Sequence, residues 1–285
     1  MHAYKIRLAL VVVVGLLLAV GAIAIASPSL PIVASTPKFA DQMTNIDVLR
    51  QEIKNYYGDP TGTGTFAEDS NYAQEAVQVA ADGGHWLAAR ANAQNKTGKK
   101  AILLDVDDTT LATYNYEIAS NWAFNPTTNG NFVTAQLFPA VPGMVDMVKQ
   151  AAQEGYAIIF LTGRPASQES ATLGNLTSDG TGVDAGYPAP TALPDATQGG
   201  GSDGIFTKPP LLVNGQLNPD YPQYLIDKCG TQVTCNTDEY KSATRQYIES
   251  LGYEIVANFG DQFSDFSGGF EDRTFKLPNP SYFLP

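Results

Sequence analysis

Three short apolar runs constrain this chain more than anything else in it. They are AILL at 101–104, YAIIFL at 156–161 and YEIVANF at 253–259. Each is too short for a globular helix, is rich in aliphatic and aromatic residues, and stops at a polar cluster. Between them the apolar spacing changes to the helical period. Residues 141–154 place Met144, Val145, Val148 and Ala151 on one face, and residues 239–251 do the same with Tyr240, Ala243, Tyr247 and Leu251. Residues 168–176 also read as helical. Strands separated by helices of this size predict an α/β fold, a doubly wound parallel sheet with helices on both faces.

The polar clusters then acquire a common location. In such a sheet, ligands bind beyond the carboxyl ends of the strands. The first run ends in DVDDT at 105–109, the second in TGR at 162–164, the third in GDQFSD at 260–265. Asp105, Asp107, Asp261 and Asp265 are therefore expected at one edge, beside the Thr162 hydroxyl. Two carboxylates ~4 Å apart near a protein surface repel by about 4 kcal/mol. A hard divalent cation with oxygen ligands relieves that repulsion, and Mg²⁺ suits a few carboxylates, waters and a substrate phosphate. A calcium loop of the EF-hand type fails, because its required glycine and glutamate positions hold Thr110 and Tyr116. The formal net charge of −12 argues against a nucleic-acid partner and means that phosphate chemistry would need a local positive centre.

The N-terminus reads as an export signal. Lys5 and Arg7 precede an uninterrupted apolar run from Leu8 to Ala26, which closes on a small-x-small pattern before Ser27. The expectation is a cleaved signal peptide at 1–26 and a secreted or extracytoplasmic protein; the alternative is a membrane anchor formed by residues 8–26. A Pro/Ser-rich linker at 27–37 and an N-terminal helical segment at 38–98 follow. Within that segment, residues 38–57 space Ile46, Leu49 and Ile53 for a helix, and residues 70–95 give a second helix, interrupted at Gly83-Gly84. Residues 99–285 form the core, with an aromatic, Asn-rich stretch at 112–140 and a Gly/Pro-rich loop excursion at 177–236. Cys229 and Cys235 are the only cysteines, and export makes a disulfide between them the favoured state. Beyond the signal the only histidine is His85, too few for multi-histidine phosphatase chemistry.

The run DVDDT resembles the first motif, Asp-x-Asp-x-Thr, of the haloacid dehalogenase (HAD) superfamily of phosphohydrolases. Thr162 in FLTGR, Lys241 in EYKSATR, and Asp261 with Asp265 in GDQFSD match its second, third and fourth motifs in order. The run YKSATRQYIESLGYEIVANFGDQFSDF and the ending RTFKLPNPSYFLP look most like the acid phosphatase branch (class B) shared with plant vegetative storage proteins. The resemblance covers about residues 99–285, weakly over 177–236. It implies a Rossmann-like core under an N-terminal helical cover. It also implies Mg²⁺-dependent hydrolysis of small-molecule phosphomonoesters through an aspartyl-phosphate. Asp105 would be the nucleophile, Asp107 the general acid and then base. Thr162, Gly163 and Lys241 would contact the phosphate; Asp105, Asp261, Asp265 and the backbone carbonyl of Asp107 would hold the metal.

Several residues keep a second reading. Asp108 reads as a helix cap or a supporting residue. Lys241 competes with Lys208 and Lys228 for the positive centre, and Arg164 reads as structural rather than substrate-binding. Tyr114, Tyr116, Trp122 and Phe124 read as core aromatics ahead of a stacking surface. The functional alternative is a non-catalytic storage or binding protein of the same fold, but every catalytic position is intact here.

Overall fold

The structure is a computed structural model, which describes residues 43–91 and 98–284. The expected signal peptide and linker lie outside the described residues. Two helices, α1 (Ile46–Tyr56) and α2 (Asn71–Ala91), precede the sheet. The chain continues through β1 (Lys99–Leu104), α3 (Tyr114–Ser120), α4 (Pro126–Thr134), α5 (Met144–Gln153), β2 (Ala157–Pro165) and α6 (Glu169–Thr177). It then forms β3 (Ile205–Lys208), a small hairpin of β4 (Leu212–Val213) and β5 (Gln216–Leu217), and α7 (Gln223–Cys229). It ends with α8 (Thr237–Ser250), β6 (Tyr253–Gly260) and β7 (Thr274–Lys276). Among the described residues no helix is long and apolar enough to cross a membrane.

The sheet has the order β3-β2-β1-β6-β7, and all its pairings are parallel. The two-residue period of each strand sorts its side chains between two cores. Ile102, Leu104, Ile158 and Phe160 face α2 and α5, where Ala76, Ala80, Leu87, Met144 and Val148 are buried. Ala101, Leu103, Ile159 and Leu161 face the other way, onto Leu225, Tyr240, Ala243 and Ile248 of α7 and α8. The β1–β6 register slips between Ala101 and Ile102. This puts Ile255 in the second core and Ala257 with Phe259 in the first. The doubly wound parallel sheet expected from the sequence is the fold observed.

Two local expectations change. The Gly83-Gly84 pair does not interrupt α2, which runs unbroken through both. A Cβ on Gly83 would lie 2.5 Å from the ring of Phe259, so the glycine is there to let helix and strand approach. The 177–236 excursion supplies more than loop. Its IFTK segment is β3, the edge strand beside β2, and Leu193, Phe206, Leu211 and Leu225 bury their side chains in the second core. The 112–140 stretch forms α3 and α4, with Tyr114 stacked on Tyr57 at 4.0 Å. Tyr114 and Tyr116 are core aromatics as expected, whereas Phe124 is exposed. His85 lies exposed on α2.

Candidate active site

The carboxyl ends of β1, β2 and β6 meet as predicted. Asp105 follows β1 directly, and its backbone N–H donates to Phe259 O at 3.0 Å, extending the ladder by one residue. Beyond it the chain turns sharply. The Thr110 hydroxyl donates to the carbonyls of Asp105 and Val106 at 3.0 and 3.2 Å. Asp108 takes a left-handed conformation (φ 52°) and accepts the Thr113 backbone N–H at 2.9 Å. Asp108 thus ties the end of β1 to the start of α3, the supporting role anticipated for it.

Lys241 is the positive centre. It is buried on α8, whose N-terminus is fixed by a capping box between Asn236 and Glu239. The Cys229–Cys235 disulfide, with Cα atoms 5.5 Å apart, joins the end of α7 to the residue before that cap. The Lys241 ammonium donates to Asp105 Oδ1 at 2.6 Å and also to Asp265 Oδ1. Lys241, Asp105 and Asp265 line one small cavity with Leu103, Leu161 and Asn258. Thr162 lies one residue beyond Leu161 on β2, fully buried, its hydroxyl oxygen accepting the Arg164 backbone N–H at 3.2 Å. Gly163 is exposed; a Cβ there would meet Thr237 Cγ2 at an ordinary 3.6 Å, so packing does not require a glycine.

Asp261 follows β6 and completes a cluster. One carboxylate oxygen each from Asp105, Asp261 and Asp265 lie within 4.8 Å of one another, all three residues being buried. At that separation each pair of charges repels by ~3 kcal/mol even at a surface-like dielectric. Lys241 offsets part of this. Burial, opposed by Lys241 and reinforced by Asp265, Asp261 and Asp107, pushes Asp105 well above the usual carboxylate range. Burial and the neighbouring Asp265 and Asp108 push Asp261 up to about 7, against hydrogen bonds from Asn279 and Gln262. A cation among these oxygens would relieve the repulsion, and an all-oxygen donor set suits a hard divalent metal.

Asp107 is placed differently from its neighbours. Its carboxylate is not one of the three in the cluster. Arg164 grips it instead, with Nη2 at 2.6 Å from Oδ1 and Nε at 3.0 Å from Oδ2. Arg164 is itself buried, donating to Thr172 Oγ1 at 3.0 Å and lying over the Phe138 ring. Burial and the Asp107 charge raise the nearby Glu117 on α3 to about 7.

Sequence reasoning missed four further contributors. Arg245 is fully buried; it donates to the backbone carbonyls of Asp265, Ser267 and Gly269 and pairs with Glu271 at 3.2 Å, pinning the loop that carries Asp265. Its signal was available: it stands four residues after Lys241, on the same helical face. Asn258 within β6 also donates to Asp265 O, at 2.7 Å. Gln262 donates its backbone N–H to Asp265 Oδ2 at 2.8 Å and its amide to Asp261 Oδ2, and Asn279 donates to Asp261 Oδ2 at 2.7 Å.

Comparison with known proteins bears on this geometry. A family model described as HAD superfamily, subfamily IIIB (acid phosphatase) matches residues 29–191 and 225–285. The chain is 29% identical over 191 residues to the stem 28 kDa glycoprotein of Glycine max, a match of 65% of this chain and 61% of that one. It is 25% identical over 217 residues to acid phosphatase 1 of Solanum lycopersicum, covering 75% and 69% respectively. The chain thus spans less than two thirds of the length of the Glycine max relative. Among solved structures, the class C acid phosphatase of Bacillus anthracis with tungstate bound superimposes with a TM-score of 0.54 at 20% identity, over 82% of this chain and 86% of that one. That likeness is one of fold.

Proposed function

The chain belongs to the HAD superfamily, subfamily IIIB (acid phosphatase), and from that premise we propose that it is an exported, Mg²⁺-dependent phosphomonoesterase acting on small molecules. The observation that carries the reading is the buried Lys241 ammonium held between Asp105 and Asp265, next to Asp261, at the carboxyl end of a parallel sheet.

Asp105, Asp261 and Asp265, with the backbone carbonyl of Asp107, would hold the metal. When bound, Mg²⁺ would neutralise charge on the carboxylates and on the phosphoryl oxygens. Asp105 attacks phosphorus through a carboxylate oxygen, the bond from phosphorus to the ester oxygen breaks, and an aspartyl-phosphate forms. The departing oxygen takes a proton from Asp107. Asp107 then takes a proton from water, whose oxygen attacks phosphorus and releases phosphate and the Asp105 carboxylate. The Lys241 charge stabilises the anionic phosphoryl group, and Thr162 and the Gly163 backbone position its oxygens. The Arg164 grip fits the ionised Asp107 of the second half-reaction; in the first, a protonated Asp107 must face the ester oxygen.

Hydrolysis of a nitrophenyl phosphate with and without chelator tests the proposal. Activity lost in chelator and restored by Mg²⁺, and abolished in Asp105→Asn, is the expected result. Full turnover in Asp105→Asn would remove the covalent mechanism. An inert protein would favour the storage or binding alternative. Export is supported by the N-terminal sequence pattern and by the compartment that disulfides require. N-terminal sequencing of the exported protein should begin near Ser27, and a membrane-retained full-length chain would favour the anchor formed by residues 8–26.

A further inference from the structure

The hydrogen bonds that hold Asp261 lead away from the motif residues to one distant segment. Asp261 Oδ2 accepts from two side-chain amides, Asn279 Nδ2 at 2.7 Å and Gln262 Nε2. The Asn279 amide is itself oriented, because its Oδ1 accepts the Ser281 backbone N–H at 2.8 Å, which turns Nδ2 toward the carboxylate. The same Nδ2 lies 3.5 Å from Asp108 Oδ2, so Asn279 spans the carboxylates that follow β6 and β1. The Gln262 amide is oriented in the same way. Its Oε1 accepts the Leu284 backbone N–H at 2.9 Å, which turns Nε2 toward Asp261. Both donors to Oδ2 are therefore set by residues 279–284. The other oxygen, Oδ1, carries a long 3.4 Å contact from the Thr109 hydroxyl.

This arrangement has a consequence for a metal ligand. A carboxylate with one oxygen fixed by two amides presents the other in a set direction, and losing such an outer hydrogen bond typically weakens metal binding by roughly 10–100-fold. We propose that the segment 279–284 is a positioning element of the metal centre: Asn279 directly, and the backbone of Leu284 through Gln262, fix the Asp261 carboxylate for the cation. Asn279 is a positioning residue and touches neither substrate nor reacting atoms. The inference rests on the reading of Asp105, Asp261 and Asp265 as a divalent-metal site.

Two variants test it, with Mg²⁺ and Mn²⁺ binding to the purified full chain measured by calorimetry. Asn279→Ala should weaken binding by roughly 10–100-fold, the range for losing such an outer hydrogen bond. Leu284→Pro removes the backbone donor that orients Gln262 and alters none of the side chains that bond Asp261. It should weaken metal binding in the same direction but less. In both, the half-saturating Mg²⁺ concentration for turnover should rise while kcat at saturating Mg²⁺ stays near wild type. A merely structural role would lower the melting temperature in chelator and leave the affinity of the folded protein alone. If the wild-type chain binds neither ion, the metal reading falls and this inference with it. If the wild type binds and Asn279→Ala binds within twofold of it, the metal site stands and the positioning role is overturned. Should Asn279→Ala fail to fold, unchanged affinity in Leu284→Pro overturns it instead.

Discussion

Replacing Lys241 with methionine tests the electrostatic core of the site most directly. The side chain keeps its length and loses its charge. In the native protein the ammonium stands between Asp105 and Asp265; Lys241, Asp105 and Asp265 are 5%, 7% and 2% exposed, so water screens none of them well. Removing one partner of a buried ion pair typically costs 3–5 kcal/mol, because the remaining charge is left uncompensated. Here two carboxylates are left, with Asp261 beside them. The lost charge would also slow phosphoryl transfer. One unit charge at ~4 Å in a medium of effective dielectric 20 is worth about 4 kcal/mol, close to a thousandfold in rate. Urea unfolding in chelator at pH 7.5 should therefore show Lys241→Met destabilised by about 3–5 kcal/mol. The pH dependence follows in sign. Asp105 already titrates above its ordinary range, and loss of Lys241 raises it further. A carboxyl raised by folding contributes stability that is fully present below its unfolded pKa and is lost as pH rises through the folded one. The variant's deficit should thus shrink at pH 5, and Mg²⁺ should reduce it at pH 7.5. A deficit under ~1 kcal/mol, typical of an exposed pair, or one equal at both pH values, would refute the buried-charge argument.

Other consequences can be checked in parallel. Asp107→Asn should slow enzyme phosphorylation far more for an alkyl phosphate than for a nitrophenyl phosphate, since general-acid help of ~10²–10⁴-fold matters most for a basic leaving group. Equal slowing in single-turnover experiments would remove the acid role. In chelator, the native protein should melt at higher temperature near pH 5 than near pH 7.5. Burial raises Asp108, Glu117, Asp261 and Glu271 each to about 7, so their contribution is lost as pH climbs through that range, and calorimetry showing the opposite slope would contradict it. Gly83→Ala should destabilise by roughly 1–3 kcal/mol through the forced contact with Phe259. A stabilised variant, as helix propensity alone predicts, would show that α2 can back away from the sheet. Reducing the Cys229–Cys235 bridge should cost ~2 kcal/mol, read as a lower urea midpoint.

The site was legible where its residues end an apolar run. Asp105 and Asp261 directly follow their strands and Thr162 lies in the last residues of β2, and a parallel sheet places such ends together whatever the intervening loops do. Lys241 was legible as a match to a motif, since helical periodicity alone marks a lysine as solvated; its burial is a tertiary fact, supplied by two carboxylates from other elements. The Gly83-Gly84 expectation failed for a related reason. Glycine weakens a helix locally, but contact with β6 rewards the close approach that only a missing side chain allows. Strand β3 was hidden because it is only four residues long and lies inside a Gly/Pro-rich stretch, too short for an alternating pattern to stand out. Residues 279–284 were legible only as part of a family-like ending, not as contributors to the site. A tail punctuated by proline reads as loop, and its bonds to Asp261 and Gln262 span 18 and 22 positions, beyond the reach of any local pattern. The candidate metal ligands are thus set by local chemistry at strand ends, whereas the residues that hydrogen-bond them arrive from wherever the fold returns the chain. Substitutions at Asn279 should accordingly change how tightly the metal binds, while substitutions at Asp105 change whether the reaction occurs at all.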